Sequence, residues 1–264
     1  MAGYYGTPAQ QRLQAQAEAS AGFIKATPGA CQTGRTMGTD NPERLGWERI
    51  FEFLERDGVC GFRLIQKDAA DSFASRLEKQ GFRFDRWDVF VTDRASAVAA
   101  SEKILAQPLP DGFRDLAPPS GPESEEMARI QALMGAAGVV PFSGSMLMGD
   151  NGPAVTVTVG DTDGAAIAAA HGYLPHNTFS PYHGYAWGGL VAVSEAQRGK
   201  GLGNYVNARM IVNVFRDLEA THIYELVSAT NIPSRRMVEA SGLRHDPGLV
   251  CGVATLREGQ RLTR

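Results

Sequence analysis

Residues 190–215, LVAVSEAQRGKGLGNYVNARMIVNVF, hold the pattern on which the fold turns. An apolar strand-like run ends at Val193, a polar loop carries Arg198, Gly199, Lys200, Gly201 and Gly203, and a helix-forming stretch begins at once. Glycines at alternate positions let the backbone turn tightly and aim several N–H groups at one point. A helix N-terminus adds its positive dipole end, so the junction suits a phosphate or pyrophosphate. Arg198 and Lys200 add charge of the matching sign. Two other phosphate loops are excluded. A Walker A loop needs glycine where Ser194 stands and Ser or Thr where Gly201 stands. A dinucleotide fingerprint needs G-x-G-x-x-G, whereas Gly199, Gly201 and Gly203 alternate.

Working outward, the downstream pattern predicts a strand at 223–229, a helix at 234–240 and a closing strand at 249–256. Upstream, the turn GDTDG at 160–164 joins strands at 154–159 and 165–173 into a hairpin. Asp161 and Asp163 read as turn chemistry rather than a metal pair. A loop dense in His and aromatics, 171–187, then leads to a strand at 189–193, and its three histidines lack helical i, i+4 spacing, so no metal is expected. Acidic residues open a predicted helix at 123–137. Five prolines crowd 107–122, with a short strand predicted at 112–116, and the domain boundary is placed at the start of this stretch. Before it, the chain reads as a surface helix at 9–21, a polar loop at 29–41, a helix from 42, a strand at 59–65, a helix at 68–80 and a strand at 87–92. The expected division is 1–106 and 107–264.

Composition narrows the function classes. The chain has 264 residues, 43% apolar and 21% charged, ordinary for a globular protein with room for a core. A net charge of −3 gives no basic field, so a dedicated nucleic-acid binder is not expected. Cys31, Cys60 and Cys251 have no metal-ligand spacing, and burial as small hydrophobes is the expected role of the latter two. No run approaches the ~18 apolar residues of a membrane helix, and the N-terminus lacks an apolar signal core. A cytoplasmic location without membrane contact is expected.

Arg198-Gly-Lys-Gly201-Leu-Gly203 resembles the R/Q-x-x-G-x-G/A signature of the GNAT superfamily of acyl-CoA-dependent N-acyltransferases. The order of elements over 108–256 follows it, with LVAV where the family's fourth strand lies and ASGL at 240–243 in place of its helix-ending G-F. The resemblance implies an α/β fold: a mixed, mostly antiparallel sheet flanked by helices, with a smaller α/β N-terminal domain beside it. It implies acetyl-CoA as co-substrate. Main-chain groups of Val191 and Val193 would pair with the pantetheine arm, and the Val193 N–H would polarise the thioester carbonyl. Amides of Arg198, Gly199, Lys200, Gly201, Leu202 and Gly203 would hold the pyrophosphate, and Asn231 would contact the pantetheine or cap the next helix. Arg235 and Arg236 would be solvated or reach the nucleotide phosphate.

One position departs from the family. The tyrosine that often serves as general acid seven residues after the asparagine is Val238 here. Tyr185, His183, Tyr224 and Glu225 are the replacement candidates, with Glu225 a candidate base. The resemblance implies acetyl transfer to a small-molecule or peptide amine by direct attack, and a homodimer is compatible with it. The rival reading is a catalytically silent CoA-binding or regulatory module.

The two halves also echo one another. Arg35-Thr-Met-Gly38-Thr-Asp40 parallels 198–203, and both precede a helix, a strand, a second helix ending in Gly-Phe or Gly-Leu, and a strand. Residues 30–95 are therefore expected to be a degenerate half-unit that does not bind CoA, because the charge of Asp40 would repel a pyrophosphate.

Overall fold

The structure is a computed structural model and describes residues 3–257, so the outer ends of the two expected segments, 1–2 and 258–264, lie outside the described residues. In chain order the elements begin with α1 (Pro8–Ala19), α2 (Ala21–Ala26), β1 (Ala30–Gln32) and β2 (Met37–Thr39). There follow α3 (Pro42–Leu45), α4 (Trp47–Asp57), β3 (Val59–Gln66), α5 (Lys67–Lys79), β4 (Phe82–Asp93) and α6 (Arg94–Leu105). The second half contributes β5 (Arg114–Asp115), α7 (Glu125–Ala136), α8 (Gly144–Met148), β6 (Ala154–Gly160), β7 (Ala166–Tyr173) and β8 (Tyr185–Val193). It closes with α9 (Leu202–Asp217), β9 (His222–Val227), α10 (Ile232–Ala240) and β10 (Arg244–Leu256). No described helix is long and apolar enough to cross a membrane.

Local chemistry accounts for the boundaries. Thr7 and Gln10 form a reciprocal capping box with Pro8 at the first helical position of α1. Ser124 caps α7 ahead of Glu125 and Glu126, whose charges suit the dipole's positive end. Gly58, at φ 70, ends α4 in a left-handed turn that a β-carbon would strain. On its inner face α4 buries Ile50, Phe53 and Leu54, each worth about 1.5–3 kcal/mol when fully buried.

All ten strands among the described residues join one sheet, in the order β1-β2-β3-β10-β4-β9-β8-β7-β6-β5. Pairing repeats on either side of the central β10–β4 pair. β10 runs antiparallel to β3 and β4 antiparallel to β9, then β3 runs parallel to β2 and β9 parallel to β8. Next, β2 is antiparallel to β1 as β8 is to β7. Each half thus lends its last strand to the sheet of the other. Alternation along β8 and β9 divides the core by faces. Ala186, Ile223 and Val227 pack with α9, while Trp187, Tyr224 and Leu190 pack with residues of α7 and α8 on the opposite face. A third cluster joins α4 and α5 to β3 and β10 through Ile50, Leu54, Leu77, Phe62 and Ala254.

Three readings of the sequence are corrected. The polar loop expected at 29–41 contains β1 and β2, with every residue of both strands buried. These strands are three residues long, too short to show a period. The helix from 42 breaks at Gly46 (φ 92). Helix α6 was not foreseen, because RASAVAASEKIL buries only Ala97 and Ser101 and carries almost no apolar stripe.

Candidate functional site

Strands β8 and β9 run parallel from Tyr185–His222 to Gly188–Glu225, and there the pairing stops. Beyond that apex the two strands separate. A bulge in β8 accompanies the split: Gly189 pairs with His171 and Ala192 with Ala169, so Leu190 and Val191 together face Ala170. Leu190 takes φ 51, a conformation rare for a branched apolar residue. The Ser194 N–H donates to the Ile167 carbonyl, which fixes the register at the end of β8. Antiparallel alternation then turns the main-chain groups of Val191 and Val193 away from β7, toward the split.

At the open end of the split stands the glycine loop. Gly199 and Gly201 adopt φ 80 and 78, and a β-carbon at either would meet nothing within 4 Å. Gly201 is the N-cap of α9 and supplies no side-chain cap, so the first N–H groups of a sixteen-residue helix face open space. A cavity of about 480 Å³ adjoins the loop, lined by Lys200, Gly201, Asn204, Lys103 and Arg244 among others. Lys200 bonds Gln197 and lies over the Phe113 ring. The arrangement can bind a polyanion through backbone amides, with three cations outnumbering the one carboxylate, Glu239, around the adjoining cavity.

Glu225 sits at the apex and is only 3% exposed. Its Oε1 has no partner among the described residues. Burial pushes its carboxyl up to about 7, while a contact with Asn207 of α9 works in the other direction. A carboxyl poised near neutrality can take or hold a proton at the point where the strands part. Glu225 is buried because β9 is paired on both sides there, with Phe90 of β4 and Gly188 of β8.

Other expected residues are distributed differently. Tyr185 begins β8, its ring stacked on His222 at 4.2 Å, at the paired end of the strands and away from the split. Asn231 caps α10 by accepting from the Ser234 N–H. Arg235 is engaged with Asp88 at 2.5 Å and lies over Phe90. Val238 is fully buried in the α9 core. Asp161 Oδ1 accepts from the Asp163 and Ala165 amides, which accounts for it as a turn residue.

The segment after β7 is a strap onto the first half. Asn177 Nδ2 donates to the carbonyls of Ile24, Thr27 and Ala30, and the Gln32 amide donates to Pro175. His176 bonds Asp40 through Nδ1 and Tyr224 through Nε2. Cys31, Asp40 and His176 bring ligand-type atoms within 4.8 Å, but both nitrogens of His176 are already hydrogen-bonded. The expected echo of the glycine loop is corrected as well. Arg35 lies between β1 and β2 rather than at a strand–helix junction, and the counterpart junction shrinks to Asp40 and Asn41. There Asn41 caps its own helix and Pro42 has no N–H, so no open helix end remains.

No protein-family model matches the sequence, and no curated protein matches it. Solved structures do. The chain is similar to a GCN5-related N-acetyltransferase from Kribbella flavida, with 16% identity, a TM-score of 0.54, and 89% of this chain and 80% of that one covered. It is similar to a Drosophila protein at 15% identity and TM-score 0.57, covering 96% and 91% of the two chains. A tandem GNAT protein from the clavulanic acid biosynthesis pathway matches at 13% identity and TM-score 0.53, over 92% of this chain and 89% of the other. The fold is that of the GNAT acetyltransferases, the tandem form among them.

Proposed function

We propose that this chain transfers an acetyl group from acetyl-CoA to a primary amine of a small molecule or peptide by direct attack in a ternary complex. The observation that carries the reading is the split between β8 and β9, closed at Gly188–Glu225 and open toward the uncapped N-terminus of α9. Amides of Arg198, Gly199, Lys200, Gly201, Leu202 and Gly203 hold the pyrophosphate, and Lys103, Lys200 and Arg244 flank the adjoining cavity. The free edge of β8 at Val191 and Val193 orients the pantetheine arm as an added strand. Bound there, acetyl-CoA supplies an activated thioester.

The chain's own residues serve the rest of the reaction. Of the two edge amides, that of Val191 is nearer the apex and polarises the carbonyl, a task the family resemblance alone gave to Val193. Glu225 accepts the proton that the amine loses as its nitrogen bonds carbon and the C–S bond breaks. Holding both reactants in one split supplies much of the acceleration. Val238 favours the second reading, a silent CoA-binding module, since its buried side chain delivers no proton to a leaving thiolate.

Calorimetric titration with acetyl-CoA tests the site, wild type beside Gly203→Glu. A β-carbon at Gly203 would lie 3.8 Å from Val193 and Met237, ordinary contact, so the variant adds a carboxylate without strain. Heat from wild type and binding weaker by about tenfold or more in the variant support the reading. Absence of heat from wild type overturns it. Amine-dependent thiol release then separates the enzyme from the silent module.

A further inference from the structure

On the sheet face opposite α9, beside the apex, lies a second cavity of about 290 Å³. Its walls include Arg35, Arg63, Trp87, Phe142, Trp187 and Leu190. Two cations in an aromatic-lined hollow need an explanation, because a buried charge is costly unless something opposes it. Arg63 is 7% exposed; it donates to the Thr33 carbonyl at 3.4 Å, touches the neutral side chains of Tyr173 and Cys251, and lies with its guanidinium over the Trp187 ring. Its Nε is buried without a partner among the described residues. Arg35 donates to the Val140 carbonyl and lies over Phe142. Burial and the neighbouring Arg63 lower its pKa to about 10. Of the nearby carboxyls, Asp40 bonds His176, while Glu225 lines the cavity with its Oε1 unpartnered, its carboxyl held up to about 7 by burial and in no ion pair with either arginine among the described residues. The hollow therefore carries two positive charges and no ion-paired carboxylate among the described residues.

We propose that this cavity is the acceptor site and that it selects an amine bearing an anionic group, a carboxylate or phosphate, on an apolar or aromatic body. The inference rests on the acetyl-transfer reading for the identity of the second substrate. Arg63 and Arg35 neutralise the anion, and the planar fork of Arg63 suits its oxygens. Trp87, Phe142 and Trp187 cover the body. Gly188, Gly189 and Leu190, which also line the cavity, place the apex of the split within reach of the amine. Selectivity arises because an amine without the anion leaves two buried arginines unopposed.

Matched probes test this: phenylalanine beside phenethylamine, and O-phosphoethanolamine beside ethanolamine. Binding is read from the fluorescence of Trp87 and Trp187, and turnover from thiol release with acetyl-CoA. Wild type should favour the anionic member of at least one pair by about tenfold or more in Kd and kcat/KM, and the preferred pair distinguishes carboxylate from phosphate. Arg63→Met should erase that preference while acetyl-CoA titration heat persists. Arg35→Met, at a less buried position, is the second variant if Arg63→Met fails to fold. Equal affinity within both pairs, binding of neither anionic probe, or a preference that survives both substitutions overturns the proposal. Failure of acetyl-CoA to bind while anionic probes still bind through Arg63 would remove the acetyl-transfer reading and leave the anion site standing.

Discussion

Asp40 Oδ2 lies 2.7 Å from His176 Nδ1, with the two side chains 1% and 0% exposed, and the contact joins the residue that follows β2 in the first half to the strap of the second. Burial holds the imidazole pKa below its usual value, so the neutral ring donates from Nδ1 to the carboxylate and accepts at Nε2 from the Tyr224 hydroxyl at 3.2 Å. The charge of Asp40 is thereby turned inward, and it does not stand guard over a phosphate loop.

Removing one member leaves the others unsatisfied in the core. Asp40→Ala should cost about 2–4 kcal/mol of unfolding free energy, read as a lower urea midpoint at unchanged slope. Asp40→Asn, whose carbonyl still accepts from Nδ1–H, should cost less. Equal losses for the two would show that volume, not the hydrogen bond, matters.

Glu225 links stability to pH with a definite sign. Its carboxyl titrates at about 7 folded against 4.5 when free, so the folded state holds the extra proton between those values. Its contribution is fully present below pH 4.5 and is lost as pH rises through 7. Glu225→Gln stays neutral throughout. At pH 8 the variant should unfold later than wild type, by an amount on the order of 1–3 kcal/mol, and at pH 4 the difference should vanish. The same variant should lower amine-dependent thiol release by about tenfold or more.

Restoring the tyrosine of the family pattern should not restore an acid. Val238 is fully buried against the α9 core, and a phenol there overpacks it. Val238→Tyr should lose about 1–3 kcal/mol of stability in thermal or urea unfolding. A rise in thiol release instead would mean that α10 rotates to admit the ring.

The cysteines should be silent in the native protein. Cys31, Cys60 and Cys251 are fully buried, and burial pushes the latter two up to about 12 and about 11. A disulfide reagent at pH 8 should label none before denaturation and all three after it. Labelling of one thiol in the native state would reveal local opening around it.

Residues 190–217 were readable because three independent signals coincide there: an apolar strand, alternating glycines and an amphipathic helix. The split itself was not readable. It depends on where β8 and β9 stop pairing, and the bulge at Leu190 and Val191 leaves no compositional trace. Glu225 drew attention only as a carboxylate within an apolar run, and its burial follows from β4 pairing on its far side. Arg63 carried no signal and Arg35 stood out only as the start of the apparent echo of 198–203; the two are separated in sequence and brought together by the fold. β1 and β2 were missed because each is only three residues long and its burial comes from α2, α4, β3 and the strap packed around it, not from its own pattern.

The exchange of β4 and β10 has a consequence for synthesis on the ribosome. β3 and β4 are not neighbours; the strand between them is Arg244–Leu256, made long after both. When the first hundred residues have emerged, their sheet has a one-strand gap with two unsatisfied edges, and such edges recruit other chains. A nascent chain halted before residue 244 should therefore need a chaperone, whereas release of the next dozen residues lets the gap close from within.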